Sequence, residues 1–310
     1  MALEVEVDEA GGGARLDVFL VRAVDGLSRT RARRMIQDGR VHLNGRPARK
    51  GVRVTAGDVV RLASVPPPAD FVPRPGDPEA LRVVHEDAQL VVVDKPAGLP
   101  SHPLRPDEVH TLANQLIARY PEMEGVGYAA REPGILHRLD NDTSGLLVAA
   151  RDAPTFEALR AALKAGAIDK GYEVVVDGRL EREDPVIDGP IANHPSDPRR
   201  VHVCLGPTDR RRGAAREACT EIVSTRALSD AYTHVRVRVS RAVRHQIRAH
   251  FAALGHPLVG DWLYGGSDGL DRHFLHAWSI AFDHPATDAR VEVEAPLPPE
   301  LAAFVEAASR

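Results

Sequence analysis

Nine consecutive positions, His137-Arg138-Leu139-Asp140-Asn141-Asp142-Thr143-Ser144-Gly145, put one imidazole, one guanidinium, two carboxylates and two hydroxyls side by side. Four kinds of chemistry use such groups. His137 and Asp140 with a distant His245 or His250 could ligate a metal, but fourteen histidines make coincidental spacing easy, and no His-Glu-x-x-His or cysteine cluster accompanies them. Ser144 as a nucleophile lacks the Gly-x-Ser-x-Gly setting. Asp140 or Asp142 could simply accept backbone N–H groups in a turn, the ordinary work of a loop aspartate. The last reading is a catalytic carboxylate answered by an arginine from elsewhere in the chain.

Whatever the chemistry, the motif has to be held. Ile135-Leu136 before it and Leu146 to Ala150 after it read as two strands, so the polar residues fall on their connection at one end of a sheet, where a rigid scaffold commonly presents reactive groups. Further on, Ile247, Phe251 and Leu254 make an apolar helical stripe, with Arg244 and Arg248 four apart on another face. Such a helix could bury the stripe and aim Arg248 inward. Strand-like runs at 90–93, 172–176 and 234–239 alternate with a few helical ones, and no internal repeat is present. The pattern predicts an α+β catalytic domain, a mixed and mainly antiparallel central sheet with flanking helices, over 80–310.

The N-terminal part differs in kind. Net charge is −4 for the whole chain, yet residues 15–62 hold 12 Lys/Arg against 4 acids; that segment is +8, which leaves −12 for the remainder. A small basic module on an acidic body is the footprint of a polyanion-binding arm. After Gly11-Gly12-Gly13, Leu16, Phe19, Leu20 and Val24 recur at helical spacing and Gly26 ends the helix. Ser28 caps a second helix, 29–38, closed by Gly39. Val41-His42-Leu43 runs into Asn44-Gly45, a hairpin signal. Short strands follow around Ala56-Gly57-Asp58. Six prolines between Val65 and Pro78 suggest an extended linker over 65–79, which sets the first domain at 1–64.

No apolar run approaches the roughly 18 residues of a spanning helix. The acidic start MALEVEVDEAGGG is no signal peptide. Cys204 and Cys219 read as unpaired thiols of a reducing compartment. A cytoplasmic protein without a membrane partner is expected.

The order RLDVFL, SRTRARRMIQDGRVHLNGR, GDVV resembles the S4 RNA-binding domain, which implies a small α/β unit whose second helix and following hairpin meet RNA phosphates. Arg29, Arg33, Arg34, Arg46 and Lys50 are its candidate contacts. From about residue 83 to 296, five ordered stretches resemble the RluA-type pseudouridine synthases: LVVVDKPAGLP, GILHRLDNDTSGLLVAAR, Lys170-Gly171-Tyr172, His245-Gln246-Ile247-Arg248 with GHPLVGDWLYG behind it, and Leu275-His276-Ala277. The resemblance implies isomerisation of uridine to pseudouridine in RNA with no cofactor and no metal. It makes Asp140 the catalytic carboxylate, acting on the sugar at C1′ or at its 2′-hydrogen, Arg248 the partner that keeps it ionised, and Tyr172 the ring under the base. It puts Arg138, His245, Gln246 and Leu275 around the substrate. Large-subunit ribosomal RNA is the expected target and a monomer the expected state. A tRNA target, or a non-catalytic RNA-binding or ribosome-assembly factor that keeps the fold, stays open. Two departures from the family stand out. Ala242-Val243-Arg244 replaces the usual Gly-Arg-Thr or Gly-Arg-Ser, and Trp262 stands where proline is common.

Overall fold

The computed structural model describes residues 3–24, 27, 29–62, 70–204 and 215–310. Gly26, Ser28 and Pro66 to Pro68, read above as a helix end, a cap and part of a linker, lie outside them. The chain divides into two units, Met1–Val72 and Pro73–Arg310.

In the first unit, α1 (Leu16–Ala23) and α2 (Arg29–Gln37) pack on a four-stranded antiparallel sheet of β1 (Leu3–Glu6), β2 (Val41–Leu43), β3 (Arg46–Pro47) and β4 (Val59–Leu62), in the order β1-β4-β2-β3. The helical spacing of Leu16, Phe19 and Leu20 buries all three against Met35, Val41, Val60 and Leu62. Asn44 and Gly45 both take positive φ, 50° and 77°, as a two-residue turn between twisted strands requires. The acidic start adds an edge strand, Leu3 to Glu6 pairing with Val59 to Leu62, because its alternating Leu3 and Val5 can rest on the core. One expectation is corrected: of the short strands around Ala56-Gly57-Asp58, Val52 to Val54 form none, and an isolated bridge joins Arg15 and Arg53 instead.

The second unit is built on a nine-stranded sheet: β5 (Val83–Glu86), β6 (Leu90–Lys95), β7 (Ser144–Ala150), β8 (Asp169–Asp177), β9 (Val186–Asp188), β12 (Cys219–Ala227), β13 (Tyr232–Arg238), β14 (Leu275–Asp283) and β15 (Arg290–Glu294). A separate hairpin pairs β10 (Ile191–Asn193) with β11 (Val201–Val203). The order is β5-β6-β7-β14-β8-β13-β12-β9, with β15 on β14. Only the β7–β14 pairing is parallel, so the expected mixed, mainly antiparallel sheet is present.

Every residue of β7 is buried. Leu146 and Val148 face α4 (Ala153–Ala165) through Phe156 and Leu159, whereas Leu147 and Ala149 face α3 (Leu112–Arg119) through Leu116 and Ile117. At roughly 1.5–3 kcal/mol per buried aliphatic side chain, this two-sided burial makes β7 a stiff post for the loop that precedes it. Ile135-Leu136 is not a full strand. It folds back on β7 through one bridge, Ile135 to Ala149, which leaves residues 137–143 as a short arch over the strand's end. The Pro-rich segment is fastened where it joins this unit: Asn114 Nδ2 donates to the Arg74 carbonyl at 2.7 Å, and the Gly76 N–H donates to that of Asn114 at 2.9 Å.

Candidate active site

The arch is bolted at both feet. At its C-terminal foot β7 pairs in parallel with β14, Ser144 opposite His276 and Gly145 opposite Ala277. Gly145 has φ 115°, and a Cβ there would lie 2.3 Å from the Ala277 carbonyl oxygen; only glycine lets the two strands meet. Ser144 Oγ pairs with His276 Nδ1 at 2.9 Å and Thr143 Oγ1 with His273 Nε2 at 2.8 Å. The hydroxyls therefore tie the motif to His273 and to the Leu275-His276-Ala277 strand, and both residues are buried, 2% and 1% exposed. On the other side Lys95, fully buried, donates to the carbonyls of Pro96, Leu99 and Asn141 at 2.8–3.0 Å, and Ser101 Oγ donates to that of Leu139 at 3.2 Å. Burial pushes the Lys95 ammonium down to about 8, while Asp142 and Asp140 oppose that fall.

Between these fixings Asp140 projects into a pocket lined by Arg138, Tyr172, Val243, His245, Arg248 and Leu275, among others. Arg248 Nη1 donates to Asp140 Oδ2 at 2.9 Å, across 108 positions of sequence. His245 Nε2 stands 3.6 Å from the same oxygen. The rest of the Arg248 guanidinium is taken by Asp261, Nε to Oδ2 at 2.6 Å and Nη2 to Oδ1 at 2.8 Å, and its face lies 5.1 Å from the Tyr264 ring centroid. Asp261 is 1% exposed and Arg248 6%, but the Asp140 side chain keeps 26%. One acid anchors the arginine in the core, and the other offers an oxygen to the pocket. Burial alone would raise the Asp140 carboxyl; His245 and Arg248 outweigh it and hold the group below the usual aspartate value. Burial keeps His245 itself below its ordinary value, so Arg248 is the charge that persists at neutral pH.

Tyr172 lies on β8 opposite Val237 and is buried. Burial first, then the Asp140 charge, pushes its hydroxyl well up, so the ring is a neutral phenol. Gly171 before it leaves space that a Cβ would take from Ser279 Oγ, 2.2 Å away. Leu275 closes the apolar side of the pocket with Ile247 and Val239. Arg138 is exposed at the rim, its Nη1 3.5 Å from His102 Nε2, and His102 stands 3.4 Å from Glu132.

The 242–248 stretch departs from the expected helix. The helix α5 (Gln246–Ala253) starts only after His245, which adopts φ 54° at its N-terminus, so Arg244 is not on the helix and shares no face with Arg248. Arg244 instead donates to the carbonyls of Pro198 and Arg200, both at 2.9 Å. Gln246 is 3% exposed, and its amide is committed to Cys219 O at 2.8 Å, Thr220 Oγ1 at 3.1 Å and the Val243 N–H at 3.1 Å. It seats the helix at the wall of the pocket. Ile247, Phe251 and Leu254 pack on one apolar face as expected. In the first unit, Arg29 and Arg33 are partly spent on Asp17, at 3.2 and 2.8 Å, while Arg34, Arg46 and Lys50 are exposed.

Four residues that support the site escaped the sequence reading: Lys95, Asp261, Tyr264 and His273. The first had a signal, a lysine closing an apolar run of strand residues. The others sit in loops with no periodicity to betray burial. Among the described residues no group of three or more His, Cys, Asp or Glu could hold a metal ion. No helix of the described residues is long and apolar enough to cross a membrane.

An aspartate held by an interior arginine in one pocket with a buried tyrosine, on a mixed sheet that follows a small basic unit in the sequence, has counterparts among known proteins. Residues 89–253 match the family model for RNA pseudouridylate synthase, and residues 14–60 match the S4 domain. The chain is 33% identical over 307 residues to the uncharacterized RNA pseudouridine synthase YlyB of Bacillus subtilis (strain 168), covering 98% of this chain and 97% of that protein. It is 34% identical over 322 residues to the ribosomal large subunit pseudouridine synthase D of Yersinia pestis, covering 98% and 94%. The solved structure of human RNA pseudouridylate synthase domain containing 1 superposes with a TM-score of 0.56 at 26% identity, over 74% of this chain and 90% of that one. The chain belongs to the RNA pseudouridylate synthase family. It is an RNA pseudouridine synthase with an S4 domain at its N-terminus.

Proposed function

We propose that the enzyme converts particular uridines of large-subunit ribosomal RNA to pseudouridine in the cytoplasm, with Asp140 as the reactive group, and that it acts as a monomer without a metal or cofactor. The observation that carries the site is the Asp140–Arg248 pair braced by Asp261. The reaction breaks the bond between C1′ and N1, turns the uracil and joins C1′ to C5; C5 gives up its proton and N1 takes one up, so the product is an isomer and nothing is oxidised or lost. A carboxylate can open the first bond by attacking C1′ or by taking the 2′-hydrogen, and either route needs it ionised. Arg248 supplies that condition and fixes one oxygen, leaving the other for the sugar. Burying both charges together limits the desolvation cost that a lone aspartate would bear.

Tyr172 gives the flipped uracil a face to stack on. As a neutral phenol it suits stacking better than proton removal. Leu275 packs the pocket beside it, His245 orients Asp140 and Arg138 fills the rim. The S4 unit would hold RNA by charge and shape through Arg34, Arg46 and Lys50, with Arg29 and Arg33 contributing what Asp17 leaves them. The target assignment is supported by relatives named ribosomal large subunit pseudouridine synthase D in Yersinia pestis and Pseudomonas aeruginosa.

The test is to map pseudouridines in total RNA from cells with and without the gene, and with the gene carrying Asp140→Asn. Sites in large-subunit ribosomal RNA should vanish in the last two. Loss confined to tRNA would move the target, and no loss anywhere would leave an RNA-binding factor that keeps the fold.

A further inference from the structure

Trp262 is 71% exposed although it directly follows Asp261, the residue that grips Arg248. The turn beneath it is tightly made. The Trp262 N–H donates to Gly260 O at 3.1 Å, and those of Tyr264 and Gly266 donate to Asp261 O at 3.0 and 2.9 Å. The neighbours Leu263 and Tyr264 pack inward with Ile191 and Val201, and the Val201 N–H donates to the Tyr264 hydroxyl at 2.9 Å, which joins the β10–β11 hairpin to the turn. A rigid support thus holds a large apolar ring out in water, where it gains nothing from burial. Two guanidiniums stand beside the turn, one of them paired with an acid. The Arg199 guanidinium lies 6.0 Å from the indole centroid, fixed by two bonds to Asp197, and that of Arg200 lies 5.2 Å from the Tyr264 ring. Buried Arg200 Nε has no hydrogen-bond partner.

We propose that Trp262 is a stacking platform for an unpaired base of the RNA near the target nucleotide, with Arg199 and Arg200 facing the adjoining phosphates. An exposed indole flanked by guanidiniums fits a single-stranded nucleotide, whose base offers a π-face and whose backbone is anionic. The turn continues into the catalytic pair through Asp261, so a base seated here would fix the register of the strand that delivers the uridine. The proposal rests on the reading of the chain as an RNA-modifying enzyme.

The probe is a uridine decamer, compared with a decamer of the same length made of abasic residues, binding to wild type, Trp262→Ala and Trp262→Phe. Binding of the uridine decamer should quench tryptophan fluorescence in wild type. It should weaken about tenfold in Trp262→Ala and recover most of that in Trp262→Phe, while the abasic decamer binds all three alike. Equal affinity of wild type and Trp262→Ala for uridine would overturn the proposal and leave the ring to a protein partner. An equal loss for both decamers would overturn it too, by pointing to charge or damage to the turn. Because binding alone is read, a chain that binds through Trp262 and makes no pseudouridine sinks the proposed function and not this site.

Discussion

The two units each bury an aspartate among arginines, in opposite proportions. In the S4 unit one acid, Asp17, is shared by Arg15, Arg29 and Arg33 at 2.8–3.2 Å; the acid is 2% exposed, and the three cations remain between a third and a half in solvent. In the catalytic unit one cation, Arg248, is shared by Asp140 and Asp261, and it is the second carboxylate that keeps a face in the pocket. The same two residue types therefore leave opposite surpluses. Three guanidiniums on one carboxylate leave positive charge at the surface, which favours a polyanion. Two carboxylates on one guanidinium leave an ionised oxygen free for chemistry. In both places burial raises the aspartate and neighbouring cations more than cancel the rise, three arginines at Asp17 and His245 with Arg248 at Asp140, so direction of shift does not separate the roles; stoichiometry and the identity of the exposed partner do.

The sharpest way to break this contrast is Asp140→Asn. It should cut pseudouridine formation by more than about a thousandfold while RNA binding and the unfolding midpoint stay near wild type. Measurable turnover near the wild-type rate would remove Asp140 from the chemistry. Arg248→Met comes next. It strands Asp261 as a buried unpaired carboxylate and should cost about 3–5 kcal/mol in denaturant unfolding. Because one of the charges that oppose the burial of Asp140 is then gone, its pKa rises and the acid limb of the rate moves to higher pH. An unshifted limb would mean that Arg248 does not set the ionisation.

Asp17→Asn should have a smaller effect, on the order of 1–2 kcal/mol, since its arginines are partly solvated. The sign with pH is fixed by the depressed carboxyl. Its stabilisation is complete above the ordinary aspartate value of about 3.9 and fades as pH falls toward the lower folded value, so the variant should flatten the acid side of the S4 unit's unfolding curve. Smallest of all, Arg46→Ala and Lys50→Ala should each weaken RNA binding a few-fold and lower the slope of log affinity against log salt by about one. An unchanged slope would show that the surplus charge of this unit does not meet phosphate.

Much of the site could be read in advance because its chemistry is carried by short runs in a fixed order. HRLD, the Lys-x-Tyr strand start and HQIR each survive as local patterns, and Asp140, Tyr172 and Arg248 do line one pocket. The supporting shell could not be read that way. Lys95 had only the apolar run before it as a signal, and Asp261 is a loop acid in a chain that is 27% charged, where nothing local separates a buried one from the rest. Arg244 was misplaced for a related reason: spacing puts it on a helix, but His245 turns into the left-handed region, and the chain before it leaves to brace the β10–β11 hairpin.

By itself the sequence determined the two-part plan, the split of charge, the Asn44-Gly45 hairpin and the apolar stripe of α5. Periodicity, composition and backbone freedom are properties of neighbouring residues. The tertiary structure decided which charges meet. The parallel register of β7 on β14 and the seating of α5 by Gln246 set Arg248 against Asp140 across 108 positions and placed Asp261 behind it. An ion pair's strength depends on distance and on the water excluded around it, and both are fixed only when distant segments have packed.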